Sequence, residues 1–356
     1  MKRILTAVLV ALLSFTSAFG QGKTQRNYVI GFYNLENLFD IYDDPAKNDE
    51  EFLPEGKNKW TEAKYNKKLH NMAKVIGEMA KANGRYHTIL GVSEIENRLV
   101  LEDLVSQPEI ADANYQIVHY DGPDRRGVDV ALLYKPEQFT YIDSESIPFT
   151  FEDTKVEITL DKAAQDYFRT RDILMVHGTI DDEHFAFYVT HLPSRIGGKG
   201  QDLRSRGAEI IYNHAVGMMK KYPGIKIAVM GDMNDNPTDD SMAVWMHGKE
   251  NMDEVGDDDF FSPFLSMYKA GYGSLAYRGE WSIYDLILVN HDLAKASEGL
   301  RIQQVGKKGF YGVVFKRPFM TTQKGQYKGY PFRTFSGGAF IGGYSDHYPT
   351  FIVVGK

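Results

Sequence analysis

The chain contains no cysteine among its 356 residues. Disulfide cross-links, thiol nucleophiles and cysteine-based metal centres are thereby excluded, and stability in an oxidising compartment has to come from the packed core. Long apolar runs are also scarce. The one at the start, within MKRILTAVLVALLSFTSAFG, follows a basic pair and ends in small residues at Ala18 and Gly20. That is the pattern of a cleaved secretory leader over residues 1–20, and its run is too short to anchor in a bilayer. A soluble mature chain from Gln21, periplasmic or secreted, is expected, and no cysteine stands at the cleavage site to carry a lipid. A third absence is local. Between Gly299 and Ser345 there is no Asp or Glu, although that stretch carries eight Lys or Arg among many aromatics.

Loss of Lys2 and Arg3 with the leader takes the formal charge from −7 to −9. Such a balance disfavours broad adhesion to nucleic acid or anionic membrane, but a local basic surface can still bind phosphate. Hydrophobic content of 43% is ample for a sizeable core. Apolar segments read as strands at 28–34, 87–94, 127–134, 172–180, 185–192, 225–232, 284–290 and 348–355, and helical spacing is evident over 61–84 and 202–222. Strands outnumber helices, which favours an α+β mixed-sheet sandwich over a regular parallel barrel. No repeat, linker or composition shift divides residues 21–356, so one catalytic domain is the simplest partition.

Several of these strands stop in polar residues that chemistry can use. IKIAVM runs into GDMNDNP with Asp232 and Asn234; HTILGVSE delivers Glu94; YVIGFYN ends at Asn34, with Glu36 two positions on. FAFYVTHL carries His191, YDLILVN begins at Asp285, and SDHYP puts Asp346 and His347 before the last strand. Each alone fits a cap or a turn. Together they form an ordered set.

The series FYNLEN, GVSEIEN, RRGVDVALLY, THLPSR, GDMNDNP, YDLILVN and SDHYP resembles the endonuclease/exonuclease/phosphatase superfamily, from Asn34 to Pro349 and in that family's order. The resemblance implies a four-layer α/β sandwich of two packed mixed sheets flanked by helices, with the site at one edge. It also implies a metal-dependent phosphoric ester hydrolase. Glu94 matches the principal metal-binding glutamate, supported by Asn34 and Asp346, with Mg²⁺ the expected cation and Mn²⁺ a substitute. Asp232 matches the aspartate that orients or deprotonates water, and Asn234 a residue holding that water or a phosphate oxygen. His347 corresponds to the histidine on the scissile phosphate, Asp285 to its partner carboxylate, and His191 to a second donor. Glu36 and Asp129 depart from clear family positions.

Candidate phosphate contacts are Arg126, before a strand, and Arg195, Lys199, Arg204 and Arg206 in RIGGKGQDLRSRG. Arg204 and Arg206 fit equally well on the solvent face of the following helix. The acid-free stretch before SDHYP reads either as a basic, aromatic wall beside the site or as a hairpin whose aromatics cover the sheet. A secreted phosphodiesterase, most simply a nuclease, is the leading expectation. A phosphatase or phospholipid or inositol-phosphate hydrolase on the same residues is the alternative, and a noncatalytic binding protein the remaining one.

Overall fold

The computed structural model describes residues 26–195 and 200–356. The expected leader and Lys199 lie outside the described residues. The principal elements are β1 (Asn27–Leu38), α1 (Glu62–Asn83), β2 (Ile89–Ile95), α2 (Arg98–Val105), β3 (Gln116–His119), β4 (Asp129–Tyr134), β5 (Thr140–Ile147), β6 (Ile173–Ile180), β7 (Glu183–His191), α3 (Gln201–Lys221), β8 (Lys226–Asp232), β9 (Asp285–Asn290) and β10 (Thr350–Gly355).

Alternation along the strands sets the layering, because successive side chains leave a strand on opposite faces. In β1, Ile30 and Phe32 enter one hydrophobic cluster while Val29 and Tyr33 enter another; in β4, Val130 and Leu132 divide from Ala131 and Leu133 in the same way. Each of these strands is therefore apolar on both faces and needs a layer on each side. One seven-stranded sheet runs Arg301–Gln303, β10, β1, β2, β4, β3, with Gly312–Val314 also paired to β10. The second runs β5, β6, β7, β8, β9, Phe260–Phe261, Gly248–Lys249. α1 and α2 cover the first sheet through residues such as Leu69, Met72, Ile76 and Leu101, and α3 covers the second through Ala208, Ile211 and Ala215. The order helix, sheet, sheet, helix is the four-layer sandwich expected.

At one contact between the sheets there is no space for a side chain without a shift. A Cβ on Gly91 would come 2.6 Å from Met230 Sδ and 3.2 Å from Val189 Cγ1, so any larger residue there has to displace Met230 in the facing sheet. α1 stops where the sequence predicts, at Gly84 with φ 66°, whose amide reaches back to the carbonyls of Ala80 and Lys81. β3 and β5 are additions to the eight expected strands. β5, TYIDSESI, lies at a sheet edge and exposes most of its side chains, so it lacks the apolar signature of the others.

One buried polar residue is a liability of this packing. His87 precedes β2, is fully buried against Phe351, and neither ring nitrogen has a hydrogen-bond partner among the described residues. Burial pushes its pKa down to about 3. The folded state therefore refuses a proton that the unfolded chain accepts near pH 6.5, so folding loses stability as pH falls below that value. At pH 5 the loss is about 2 kcal/mol, at about 1.4 kcal/mol per pH unit. His87→Leu should accordingly raise the melting temperature more at pH 5 than at pH 8. Melting curves with the same difference at both pH values would contradict this account.

Candidate active site

Strand register alone brings the key residues together. In the second sheet His191 pairs with Asp232 across the parallel β7–β8 ladder, and Asp285 pairs with Asp232 across the antiparallel β8–β9 ladder. In the first sheet β1 and β2 run parallel, with Asn34 beside Ser93, and both strands shift register just there. Such bulges re-aim side chains at a sheet edge. Glu94 and Asn234 adopt left-handed backbone at φ 58° and 50°, a conformation that asparagine tolerates and that is uncommon for glutamate.

The side chains form one connected group. Asn34 Nδ2 donates to Glu94 Oε1 at 3.2 Å and to Asp232 Oδ2 at 3.0 Å. His191 Nε2 lies 3.8 Å from Glu94 Oε1 and 3.7 Å from Asp232 Oδ2. His347 is 2.8 Å through Nδ1 from Asp285 Oδ2, and its Nε2 faces Asp232 Oδ2 at 3.8 Å. Ser274 donates to the same Asp285 oxygen. Ser345 Oγ accepts from the His347 amide and donates to the Asn34 carbonyl, which ties the loop carrying His347 to the end of β1.

Burial and mutual repulsion divide the protonation states. Burial, then the charges of Asp285 and Glu94, lift the Asp232 carboxyl to about 7 against the pull of His347. Burial would discharge His347, but Asp285 and Asp232 outweigh it and hold the ring well above its ordinary value, as an imidazolium. His191 goes the other way: burial, then Arg171, Arg126 and His347, keep it neutral.

Glu94, His191 and Asp232 each present a ligand atom within 4.8 Å of the others. Hard carboxylate oxygens suit Mg²⁺ or Mn²⁺. A ligating histidine normally donates its second N–H to an acceptor, whereas His191 Nδ1 is buried without a partner among the described residues, so its Nε2 fits a hydrogen-bond donor better than a ligand. Asn34 turns its nitrogen to the carboxylates and its Oδ1 accepts from the Glu36 amide. Asp346, expected beside the cation, pairs with Arg333 at 2.9 Å, so a cation there competes with a guanidinium.

GDMNDNP divides its labour. Asp232 faces the site, accepting at Oδ1 from the Asn234 amide, and Asn234 Nδ2 donates to the Leu192 carbonyl. Asp235 is buried against Arg204 at 2.7 Å, and Asn236 accepts from the Ile283 amide.

The arginine expectations need correction. Arg206 is buried, not solvent-facing, and spends its donors on the Thr150 and Glu152 carbonyls and on Glu209. Its burial and these three partners make it a tie between the helix and the 150–152 segment rather than an open contact for a substrate phosphate. Arg204 is likewise buried rather than on a solvent face. Arg195 stays partly exposed while held by Asp239 and the Tyr284 hydroxyl. Arg126 is half exposed beside Asp124 and close enough to His191 to influence its charge.

Three residues missed by sequence reasoning complete the site. Arg171, just before β6, donates to the carbonyls of His191 and Leu192 and to Asp124, fixing the end of β7. Arg333, from the acid-free stretch, donates to Glu36 and Asp346 with half of its side chain exposed. Lys68 of α1 lies buried 3.8 Å from Glu36 and donates to Thr334 Oγ1 and the Tyr344 carbonyl. Glu36 thus anchors the C-terminal loop. Only the absence of acids around Arg333 hinted at any of this. Most aromatics of that stretch pack inward, Phe315 in the core and Phe335 against Trp60.

Comparison with curated proteins finds no match. Among solved structures, an endonuclease/exonuclease/phosphatase family protein from Bacteroides thetaiotaomicron is similar at TM-score 0.55 and 15% identity, over 93% of this chain and 98% of that one. A mannosyl-6-phosphatase from the same organism matches at 0.55 and 14%, over 92% and 99%. D. rerio TDP2 complexed with single strand DNA product matches at 0.52 and 11%, over 93% and 99%. These likenesses establish the shared sandwich. At the level of sequence, the Endonuclease/Exonuclease/phosphatase family profile matches residues 29–356, and the chain belongs to that family of phosphoester hydrolases.

Proposed function

We propose that the chain is a secreted, Mg²⁺-dependent phosphodiesterase that cleaves a phosphate ester by in-line attack of water, with nucleic acid as the favoured substrate. The observation that carries this reading is the His347 ring, held by Asp285 at 2.8 Å and facing Asp232 at 3.8 Å. An imidazole held in its protonated form beside a carboxyl that can take up a proton supplies the acid and the base that proton transfer at a phosphoryl centre requires.

In this reading Asp232 accepts the proton of the attacking water, and Asn34 holds its carboxylate toward that water. His347 donates to a nonbridging oxygen and His191, neutral, donates from Nε2 to another. Asp285 keeps the His347 ring oriented and charged. Glu94, with Asn34 beside it, would hold the cation, which supplies charge neutralisation on the phosphoryl oxygens. Asn234 fixes the strand end through Leu192.

One observation favours the second reading, a phosphomonoesterase. Arg126 and Arg333 place two half-exposed guanidinium groups at the rim, each paired with a carboxylate yet with a fork of donors suited to the extra oxygens of a terminal phosphate. Two solved relatives divide the same way, one named a mannosyl-6-phosphatase and one complexed with single strand DNA product. Assay of the pure protein with Mg²⁺ on single-stranded DNA, RNA, inositol phosphates and sugar phosphates separates the readings. Turnover of monoesters alone would replace the nuclease reading.

Asp232→Asn and His347→Ala should each lower turnover of bis-p-nitrophenyl phosphate by roughly 10² or more while leaving the circular dichroism spectrum intact. Undiminished turnover in both variants would sink the mechanism. Exhaustive EDTA dialysis should abolish activity, with Mg²⁺ or Mn²⁺ restoring it; persistent activity rules out the metal role. Arg333→Gln removes a charge-assisted contact worth roughly 1.5–3 kcal/mol, so kcat/KM should fall about 10- to 100-fold. Kinetics equal to those of the parent would confine Arg333 to scaffolding.

A further inference from the structure

Asp285, the carboxylate that holds His347, opens β9 shortly after a two-stranded hairpin in which Leu275–Tyr277 pairs antiparallel with Glu280–Ser282. The foot of that hairpin reaches the catalytic pair. Ser274 is fully buried there, and its Oγ donates to Asp285 Oδ2, the same oxygen that faces His347 Nδ1 at 2.8 Å. Its carbonyl accepts from the amide of Tyr348, the residue after His347, at 2.7 Å. One serine thus grips both members of the pair, Asp285 through its side chain and the His347 segment through its backbone.

The surroundings leave few other ways to orient the Asp285 carboxylate. Its Oδ1 is buried without a partner among the described residues, so its direction rests on Oδ2 and the two donors that meet there. An ionised carboxylate only accepts, so the Ser274 hydroxyl has to donate and His347 has to carry a proton on Nδ1. With the serine gone, carboxylate and ring can swing together about their single remaining bond. The hairpin keeps Ser274 from following them. On its second strand Trp281 stacks on Tyr348 at 6.3 Å, and Gly273 leaves room for that ring, since a Cβ there would come 2.7 Å from it. At the tip the Gly279 amide donates to the Tyr330 hydroxyl at 2.7 Å, which fastens the hairpin to the acid-free stretch.

We propose that Ser274 is a positioning residue for the hydrolysis. It fixes the rotation of Asp285, and through it the direction in which His347 Nε2 points at the phosphate. Ser274 itself touches no substrate. The role rests on the proposed chemistry of Asp285 and His347, in which a small misdirection of a donor costs much of the rate.

The test is Ser274→Ala in the full chain. Turnover of bis-p-nitrophenyl phosphate should lose roughly 10- to 100-fold in kcat with KM held within about twofold, the mark of a contact that matters in the transition state. In an Asp285→Asn background the same substitution should cost less than about twofold, because its target is gone. An equal loss in both backgrounds, or a loss confined to KM, would assign Ser274 to general packing and overturn the role. A second readout needs no turnover. The proton between His347 Nδ1 and Asp285 should give a downfield proton resonance that His347→Ala removes, and Ser274→Ala should shift or broaden it while the circular dichroism spectrum stays parental. An unaltered resonance refutes the proposal. A parent chain that turns over no phosphodiester defeats the functional reading instead, and the resonance still judges Ser274.

Discussion

Asp232 and Asp285 stand opposite each other on neighbouring strands with almost no access to water, and this crowding of like charge is what the structure around them accommodates. Burial and the charge of Asp285 push the Asp232 carboxyl up. His347 resolves the conflict by lying against Asp285 and facing Asp232, so that each acid sees a positive ring. Asn34 contributes the complementary dipole on the other side of Asp232. The strain of the arrangement is therefore the source of its chemistry. A carboxyl lifted to about 7 sits beside an imidazole held positive, a pairing that neither residue would sustain in water.

A second charge group holds the loop that delivers His347. Burial, then Asp346, push Glu36 up to about 7, and burial brings Lys68 down to about 8. A buried pair of this kind is weak evidence for stability, because desolvation offsets much of the attraction. Its value here lies in geometry. Glu36 accepts from the Thr334 amide and from Arg333, Lys68 binds Thr334 and Tyr344, and Asn71 of α1 donates to the carbonyls of Gly342 and Gly343. The stretch before SDHYP is thus fastened to α1 and β1 by polar contacts, and the last sheet strand follows with His347 already in place.

The strand ends were legible because a buried strand cannot finish in an acid or an amide without giving that group a purpose. Asp232, Glu94, His191 and Asp285 all followed apolar runs or opened one, and register then aligned them. Arginines were not legible. A guanidinium on a long stem reaches carbonyls far away in sequence, so Arg206 and Arg171 found partners 56 and 20 residues distant that no local pattern reveals. Glu94 itself hides its geometry, since a left-handed glutamate at a bulge is disfavoured locally and exists only because Asn34 and the Asn37 amide hold its carboxylate. β5 was missed because its polar, exposed sequence resembles a loop until it pairs with β6.

The acid-free stretch shows why an acidic chain can still handle an anionic substrate. Its charge is not spread over the surface; Arg333 carries it to Asp346 at the mouth of the site, and Lys316 lies over the ring of Trp281 at 4.5 Å nearby in sequence. Removing acids from one segment, rather than adding bases everywhere, leaves a local positive potential in a negative field, and low-dielectric walls focus such a potential into a cleft. On the proposed reading an anion would be drawn to the edge where the two sheets end rather than to the acidic remainder of the surface. On the proposed reading that arrangement favours placement over affinity, because charge is concentrated where His347 and Asp232 would meet a phosphate rather than spread along the whole surface.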